Sequence, residues 1–143
     1  MSSLHFSITI RAPKTRVHQL MLADRTYREW TSAFAEGSSY QGSWDKGANI
    51  LFGDGQGSGM SARIAEHRPA EFVSIEMLSE VKNGMPEKEQ QWQGVFENYT
   101  FSEANGITTL QVDITAMPDE YADFMTESWH KALDKLKALC ERT

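Results

Sequence analysis

The C-terminal tail constrains the fold of this chain more than any other feature. From Pro118 onward the apolar side chains recur at helical spacing over about twenty residues, which is typical of an amphipathic helix with one buried face. Pro118 and the acidic residues that follow it favour a helix start at this point. The apolar positions are Tyr121, Phe124, Met125, Trp129, Leu133, Leu136, Leu139 and Cys140.

The N-terminal segment has a different pattern. Residues 4–11 alternate between apolar and polar side chains, which indicates a half-buried strand. Pro13 ends this strand and suits the first turn of a helix, whose apolar stripe lies within residues 17–21. Asp24 is placed to cap a second short helix that runs to Trp30.

The middle of the chain consists of short alternating segments separated by glycine-rich turns. Residues 82–91 are polar and contain Gly84 and Pro86, so they predict a loop. Asn105-Gly106 is a strong tight-turn signal. Together with the flanking helices this order indicates an α+β protein. Strands are predicted at residues 37–44, 48–52, 60–67, 72–81, 95–101 and 108–116.

Length and charge exclude several classes of protein. The 143 residues suffice for one domain, so residues 1–143 are expected to form one. No stretch reaches the roughly 20 apolar residues that span a bilayer, and the start of the chain lacks the pattern of a signal peptide. A net charge of −6 disfavours nucleic acid as a partner. The single cysteine, Cys140, suits a reducing compartment, so we expect a cytoplasmic location.

Several short sequence patterns are spread along the chain. They are Ala12-Pro13 with Val17 and Trp30, Glu66-His67-Arg68-Pro69, Tyr99-Thr100-Phe101, Asn105-Gly106-Ile107-Thr108, Leu110-Gln111-Val112, and Trp129 with Leu133 and Leu136. These patterns resemble those of the START-like (SRPBCC) superfamily, which includes the birch pollen allergen group and polyketide cyclases, and they look most like the homologues of the heat-shock-protein ATPase activator. The resemblance spans nearly the whole chain and implies a helix-grip fold. In that α+β fold, a curved antiparallel sheet of about six to seven strands wraps around a long C-terminal helix, with two short helices after the first strand.

The resemblance also implies a cavity between the sheet and the long helix that holds small hydrophobic or amphipathic molecules. A curved sheet cannot contact a straight helix along its full length, so large side chains or a ligand must fill the gap. The alternative for each candidate is ordinary core packing, the usual role of apolar stripes. The candidates are Trp30, Ile75, Met77, Tyr99, Phe101, Leu110, Val112, Ile114, Phe124, Met125 and Trp129.

Strand alternation singles out one polar candidate. If Tyr99 and Phe101 face inward, Glu97 faces inward too. A carboxyl group in an apolar pocket has a raised pKa and can act as a general acid or base. Tyr99 on the same face could donate a hydrogen bond to a substrate oxygen. The alternative is that Glu97 lies at the rim of the sheet, hydrated or paired with an arginine.

Other chemistry-bearing residues carry weaker signals. No two of the four histidines have the close helical spacing of a zinc site, so we expect no metal. The glycine-rich residues 53–59 continue into a strand rather than a helix, which favours a hairpin connection over a phosphate loop. Cys140 lacks a nucleophile signature and is expected to be a buried thiol. No cofactor is expected.

Three functions remain open. The first is binding of a small hydrophobic ligand without turnover. The second is a cyclase, aromatase or hydratase reaction that uses Glu97 and Tyr99. The third is a co-chaperone role like that of the heat-shock ATPase activator. A homodimer, formed through an exposed strand or the helix face, is compatible with each of them.

Overall fold

A computed structural model describes residues 2–87, 92 and 94–142 of the chain. Within that part, three helices and eight strands follow an α+β order that confirms the predicted helix-grip fold. Two short helices come after the first strand, and one long helix closes the chain. The elements are β1 (Ser2–Ile10), α1 (Lys14–Leu22), α2 (Asp24–Thr31), β2 (Ser39–Gly42), β3 (Asn49–Gly53), β4 (Gly59–Arg68), β5 (Phe72–Lys82), β6 (Met85–Pro86), β7 (Phe96–Ala104), β8 (Ile107–Met117) and α3 (Asp119–Glu141).

The strands form one antiparallel sheet in the order β1-β8-β7-β5-β4-β3-β2, with β6 paired to β5. The register of the β4–β5 ladder shifts between Ser61 and Ala62 and again between Ile64 and Glu66. β-bulges of this kind bend a strand and increase its local twist. The middle of the sheet is therefore able to curve around a helix.

The core lies between one face of this sheet and the three helices. On β1, Phe6 and Ile10 are buried while His5 and Ser7 are exposed, as the alternation predicts. α3 packs against β1, α1 and α2, and Phe6 stacks on Trp129 with ring centroids 6.0 Å apart. α3 has 23 residues, but neither it nor any other helix in the described ranges is long and apolar enough to cross a lipid bilayer.

The hairpin between β7 and β8 sets the register of the inward-facing side chains. Asn105 and Gly106 have φ angles of 54° and 77°, the backbone of a type I′ turn, which confirms the predicted tight turn. Across this hairpin Glu97 lies opposite Ile114 and Tyr99 lies opposite Val112. The register that this turn sets therefore decides which side chains of β7 and β8 lie next to each other on the inner face of the sheet.

Residues 53–59 connect β3 to β4 as a hairpin, as predicted. The two strands come very close at Gly59, where a Cβ atom would lie 1.9 Å from the carbonyl oxygen of Phe52. Only glycine fits there. The chain continues directly into β4, so no helix N-terminus stands behind this loop.

The prediction of a loop over residues 82–91 was wrong at its beginning. Asn83 and Gly84 have φ angles of 53° and 76° and reverse the chain, so that Met85 and Pro86 pair with the end of β5. Pro86 is tolerated because this two-residue strand lies off the main strand path. Residues 88–91 of the predicted loop lie outside the described residues.

The predicted cap of α2 was also wrong. Asp24 is the first helical residue, the residue at the N-cap is Ala23, and no side chain caps the helix. The Asp24 carboxylate instead accepts a hydrogen bond from Nε of Arg28, 3.2 Å away and one turn along the helix. An ion pair at this spacing favours the helix from inside its first turn.

Candidate functional site

A cavity of about 510 Å³ lies between the inner face of the sheet and the helices. Its wall contains both apolar and polar side chains, contributed by α2, the β3–β4 hairpin, the central strands and α3. Among the described residues the wall consists of Tyr27, Trp30, Thr31, Phe34, Ala35, Ser38, Phe52, Gly53, Asp54, Ser58, Gly59, Met60, Met77, Glu80, Trp92, Val95, Glu97, Tyr99, Ile114, Met117, Tyr121, Phe124, Met125 and Trp129.

The two halves of α3 explain why a gap exists. From Ser128 to Cys140 the inner face of the helix is buried, as in Leu133 and Leu136. In the preceding half, between residues 119 and 127, every side chain is at least partly exposed, and Phe124 is 56% exposed. This half of the helix is therefore packed less closely, and the cavity opens to solvent beside Phe124, which lines it.

The structure divides the predicted cavity residues into two groups. The first group lines the cavity and consists of Trp30, Met77, Tyr99, Ile114, Phe124, Met125 and Trp129. The second group, Ile75, Phe101, Leu110 and Val112, is at most 2% exposed and does not reach the wall. The α1 end of the sheet is filled, as the edge-on contact of Phe101 with His18 at 5.6 Å illustrates. These four side chains belong to the core.

Glu97 faces the cavity, as strand alternation predicts. The Tyr99 hydroxyl donates a hydrogen bond to Oε2 of Glu97 over 2.6 Å. Protein surrounds the carboxyl group, although part of its surface stays open to the cavity. Burial raises the pKa of Glu97 to about 7, and the hydrogen bond from Tyr99 partly counteracts that rise. Such a group can hold or release a proton near neutral pH.

An aromatic cluster surrounds the inner part of the cavity. Trp129 on α3 lies at its centre, with ring centroids 5.8 Å from Trp30, 5.0 Å from Phe34 and 6.1 Å from Tyr99. Tyr27 extends the cluster through an edge-on contact with Trp30 at 5.5 Å. The indole nitrogen of Trp129 is buried without a hydrogen-bond partner in the described part of the chain. Aromatic faces thus dominate this region.

A second polar group lies near the open end. Glu80 on β5 accepts a hydrogen bond from Trp92 Nε1 at 2.8 Å and one from the Tyr121 hydroxyl at 3.2 Å. Lys82 Nζ lies 3.9 Å from the other carboxylate oxygen of Glu80. The rings of Trp92 and Tyr121 stack with centroids 5.6 Å apart. This arrangement joins the start of α3 to the sheet.

Sequence reasoning missed several wall residues. Trp92 follows a polar segment and Tyr121 lies in the first turn of α3, so neither belonged to a strand pattern. Tyr27 and Phe34 flank Trp30 at helical spacing, which was an available signal. The β3–β4 hairpin reaches the wall through Asp54 and its neighbours, a placement that only the folded sheet shows.

The histidines and the cysteine lie apart from the cavity wall. His18 Nε2 and His67 Nε2 are 2.8 Å apart, and Nδ1 of His67 lies 2.8 Å from the carbonyl oxygen of Trp44. Cys140 is buried, and burial raises the pKa of its thiol to about 11. Within the described ranges, no three histidine, cysteine, aspartate or glutamate side chains form a metal-binding group.

Comparisons with known proteins agree with this fold. The chain is similar to the Aha1 dimer from Colwellia psychrerythraea, with 20% identity and a TM-score of 0.74 over 99% of this chain and 97% of that one. It resembles protein CV1439 from Chromobacterium violaceum at 18% identity, with a TM-score of 0.72 over 99% and 98% of the two chains. Likeness at this identity shows the fold alone.

A third similar structure is DynU16, a putative protein in the dynemicin biosynthetic locus. It has 14% identity and a TM-score of 0.72, and the match covers 96% of this chain but 46% of DynU16. This chain therefore spans about half of that protein. No curated protein matches this chain in sequence.

A family model matches almost the whole chain. The family is described as activator of Hsp90 ATPase homolog 1-like protein, and its match covers residues 11–141. This region contains the three helices and every strand after β1, and therefore the whole cavity wall. The chain belongs to the family of activator of Hsp90 ATPase homolog 1-like proteins.

Proposed function

We propose that this protein binds a small hydrophobic or amphipathic molecule in the cavity between the sheet and α3. The observation that carries this proposal is the cavity itself, whose volume of about 510 Å³ falls within the roughly 300–1,000 Å³ of small-molecule sites. Its wall combines many aromatic and methionine side chains with a few polar groups. That composition is typical of sites that bury an apolar body and orient it through a few hydrogen bonds.

A fluorescent probe tests this proposal directly. N-phenyl-1-naphthylamine is uncharged and emits strongly in apolar surroundings, so its emission should rise and saturate at one probe per chain. Native mass spectrometry of the purified protein should show the same stoichiometry. Met77 lies on the cavity wall, so Met77→Trp should fill the site and weaken probe binding by about tenfold or more, the equivalent of about 1.4 kcal/mol.

The neighbouring residue provides a matched control. Leu78 follows Met77 on β5, is 39% exposed and does not line the cavity. Leu78→Trp adds the same indole outside the site and should leave probe affinity within about twofold. Equal affinity in Met77→Trp and the native protein would count against the cavity as the binding site.

A second candidate function is general acid–base chemistry of the cyclase, aromatase or hydratase type. The observation that favours it is the 2.6 Å hydrogen bond from Tyr99 to Glu97 inside the cavity. The pKa of Glu97, raised by burial to about 7, suits proton transfer at neutral pH. With a linear poly-β-keto thioester as the probe, Glu97→Gln should abolish turnover but retain binding. Unchanged turnover would remove Glu97 from the reaction.

Fewer observations support a function that depends on a protein partner. The family name and the dimer described for the Colwellia protein are the grounds for proposing a co-chaperone activity or a homodimer. Sedimentation velocity of the purified chain tests the dimer, and stimulation of an Hsp90 ATPase tests the co-chaperone role. A cytoplasmic location, proposed because Cys140 has no partner for an internal disulfide, suits all three functions.

A further inference from the structure

We infer that the cavity selects for positively charged ligands, and that it takes a hydrophobic amine whose ammonium group lies beside the Glu97 carboxylate. This inference rests on the proposed function, because it assigns a charge to the ligand of the same cavity. Three features of the wall lead to it: the sign of its charges, the state of its carboxylates and the arrangement of its aromatic rings.

Every charged side chain on the described part of the wall is acidic. Asp54, Glu80 and Glu97 line the cavity, and no lysine, arginine or histidine of the described residues does. A ligand carboxylate or phosphate would therefore enter an apolar space without a counter-charge, which is costly. A ligand cation would meet charges of the opposite sign.

Two of these carboxylates already have partners. Glu80 accepts hydrogen bonds from Trp92 and Tyr121 and has Lys82 Nζ at 3.9 Å. Asp54 accepts a hydrogen bond from the backbone N–H of Gln56 at 2.7 Å and belongs to the hairpin between β3 and β4. Neither group depends on a ligand for compensation.

Glu97 is different. It lies on a central strand between Ile75 and Ile114, and Tyr99 is its hydrogen-bond donor. Among the described residues no cation pairs with it. Two carboxylate oxygens offer about four acceptor positions, so most of the acceptor capacity of Glu97 remains available. An ammonium group supplies both the missing charge and several N–H donors.

The aromatic rings that line the cavity together with Glu97 favour the same occupant. Tyr99 contacts Glu97 directly, Trp129 lies 6.1 Å from Tyr99, and Trp30 lies 5.8 Å from Trp129. Tyr27 on α2 adds a fourth ring to this wall and contacts Trp30 edge-on at 5.5 Å. Aromatic faces attract cations within about 6 Å of the ring centroid.

The protonation of Glu97 gives the selectivity a pH dependence. Burial raises the pKa of Glu97 to about 7, so its negative charge develops as the pH rises through neutrality. Glu97 shares the described wall with the titratable groups Asp54, Glu80, Tyr27, Tyr99 and Tyr121. Burial raises the pKa of Tyr99 on its own strand and of Tyr27 on α2, so these two stay neutral. Preference for a cation should therefore be weak at pH 6 and strong at pH 8.

Three ligands of equal chain length test the inference. Decylammonium, decanol and decanoate should each be titrated against the protein loaded with N-phenyl-1-naphthylamine, at pH 6 and pH 8 in low salt. At pH 8 decylammonium should bind at least about tenfold more tightly than decanol, and decanoate should bind more weakly than decanol. The amine-to-alcohol ratio should fall at pH 6.

Two variants test whether the Glu97 carboxylate is the source of the preference for the amine. Glu97→Gln should reduce the amine-to-alcohol ratio at pH 8 toward one. Asp113→Asn is the control, because it removes the same charge from the neighbouring strand, where Asp113 pairs with exposed His5 at 2.7 Å on the outer face. It should leave the ratio within about twofold of the native value, since screening by solvent weakens an outer charge.

The outcomes separate this inference from the proposed function. Binding of decanol as tight as that of decylammonium, or tighter binding of decanoate, would overturn the inference and leave the cavity as a binding site. A preference for the amine that Asp113→Asn reduces as much as Glu97→Gln would also overturn it. Failure of the probe and of all three ligands to bind would instead refute the proposed function.

Discussion

Glu97 and Tyr99 are two residues apart on β7, so the alternation of a strand alone brings both side chains to the same face. Their hydrogen bond places a polar pair on a wall that consists mainly of apolar and aromatic side chains. Proteins usually pair buried carboxylates with cations or several donors. A carboxyl group with one donor is typical of a site with a ligand or a proton to exchange.

The raised pKa of Glu97 predicts a specific dependence of stability on pH. Its folded pKa of about 7 exceeds the ordinary value of 4.5, so its contribution is fully present below pH 4.5 and is lost as the pH rises through 7. The loss amounts to at most about 3 kcal/mol, less wherever cavity water solvates the carboxylate. Glu97→Gln removes the titrating carboxyl group and therefore this dependence of stability on pH.

Urea unfolding at pH 5 and pH 8 measures this effect. The free energy of unfolding of Glu97→Gln, relative to that of the native protein, should be higher at pH 8 than at pH 5. In Tyr99→Phe the loss of stability with rising pH should occur at a higher pH, because the Tyr99 hydroxyl of the native protein lowers the pKa of Glu97. A relative stability of Glu97→Gln that does not change with pH would show that the carboxyl group is well solvated.

The His18–His67 contact predicts the opposite dependence of stability on pH. Nδ1–H of His67 donates a hydrogen bond to the Trp44 carbonyl, so Nε2 of His67 accepts a hydrogen bond from Nε2–H of His18. Burial, and then His67, lower the pKa of His18 below 6.5. The unfolded chain then binds protons more readily, and stability should fall as the pH drops through about 6.5.

Thermal unfolding at pH 7.5 and pH 5.5 tests this prediction. The loss of melting temperature on acidification should be smaller in His18→Gln than in the native protein. His130→Gln is the control, since His130 is exposed on α3, and it should keep the native difference. An identical pH dependence in native protein and His18→Gln would contradict the assignment.

At the scale of elements, the two halves of α3 differ in what they contact. The half after residue 127 closes the core through buried residues such as Leu133 and Leu136, and only Trp129 of this half reaches the described cavity wall. The half before it borders the cavity through Tyr121, Phe124 and Met125. Apolar spacing is similar in both halves of the sequence, so periodicity predicted the helix but did not separate the halves.

Hydrogen exchange should reveal this division. Backbone amides of α3 before residue 127 should exchange faster than those after it, because they have fewer buried neighbours. Saturation with N-phenyl-1-naphthylamine should slow exchange in the first half and leave the second half unchanged. Mass spectrometry of the exchanged peptides measures both, and uniform protection along α3 would contradict the prediction.

At the scale of the whole molecule, the cavity lowers the stability of the unliganded protein but provides the space for a ligand. An unfilled apolar space lacks the dispersion contacts that close packing supplies. Met77→Trp should therefore raise the melting temperature of the unliganded protein by a few degrees. The same variant should lose the further increase that a ligand at 100 times its Kd confers on the native protein, about 2.7 kcal/mol.

Differential scanning fluorimetry with and without N-phenyl-1-naphthylamine tests this trade-off, with Leu78→Trp as the control that keeps the native ligand shift. A Met77→Trp protein that is less stable than the native one would mean that the indole does not enter the cavity. A retained ligand shift in that variant would place the probe elsewhere.

Sequence patterns predicted the architecture because they are local. The alternation in β1, the Asn105-Gly106 turn and the spacing of α3 each depend on a few neighbouring residues, and each is confirmed. The prediction for Asp24 was wrong because helix starts shift easily by one residue. β6 was missed because a two-residue pairing leaves almost no pattern.

The sequence by itself determined the α+β order, the inward face of β7 and therefore the shared direction of Glu97 and Tyr99. Only the tertiary structure decided which inward side chains meet empty space. Phe101 and Tyr99 have the same parity on one strand, yet α1 covers Phe101 while Tyr99 faces the cavity. The reason is that alternation fixes direction along one strand, whereas a cavity depends on the distance between elements far apart in sequence.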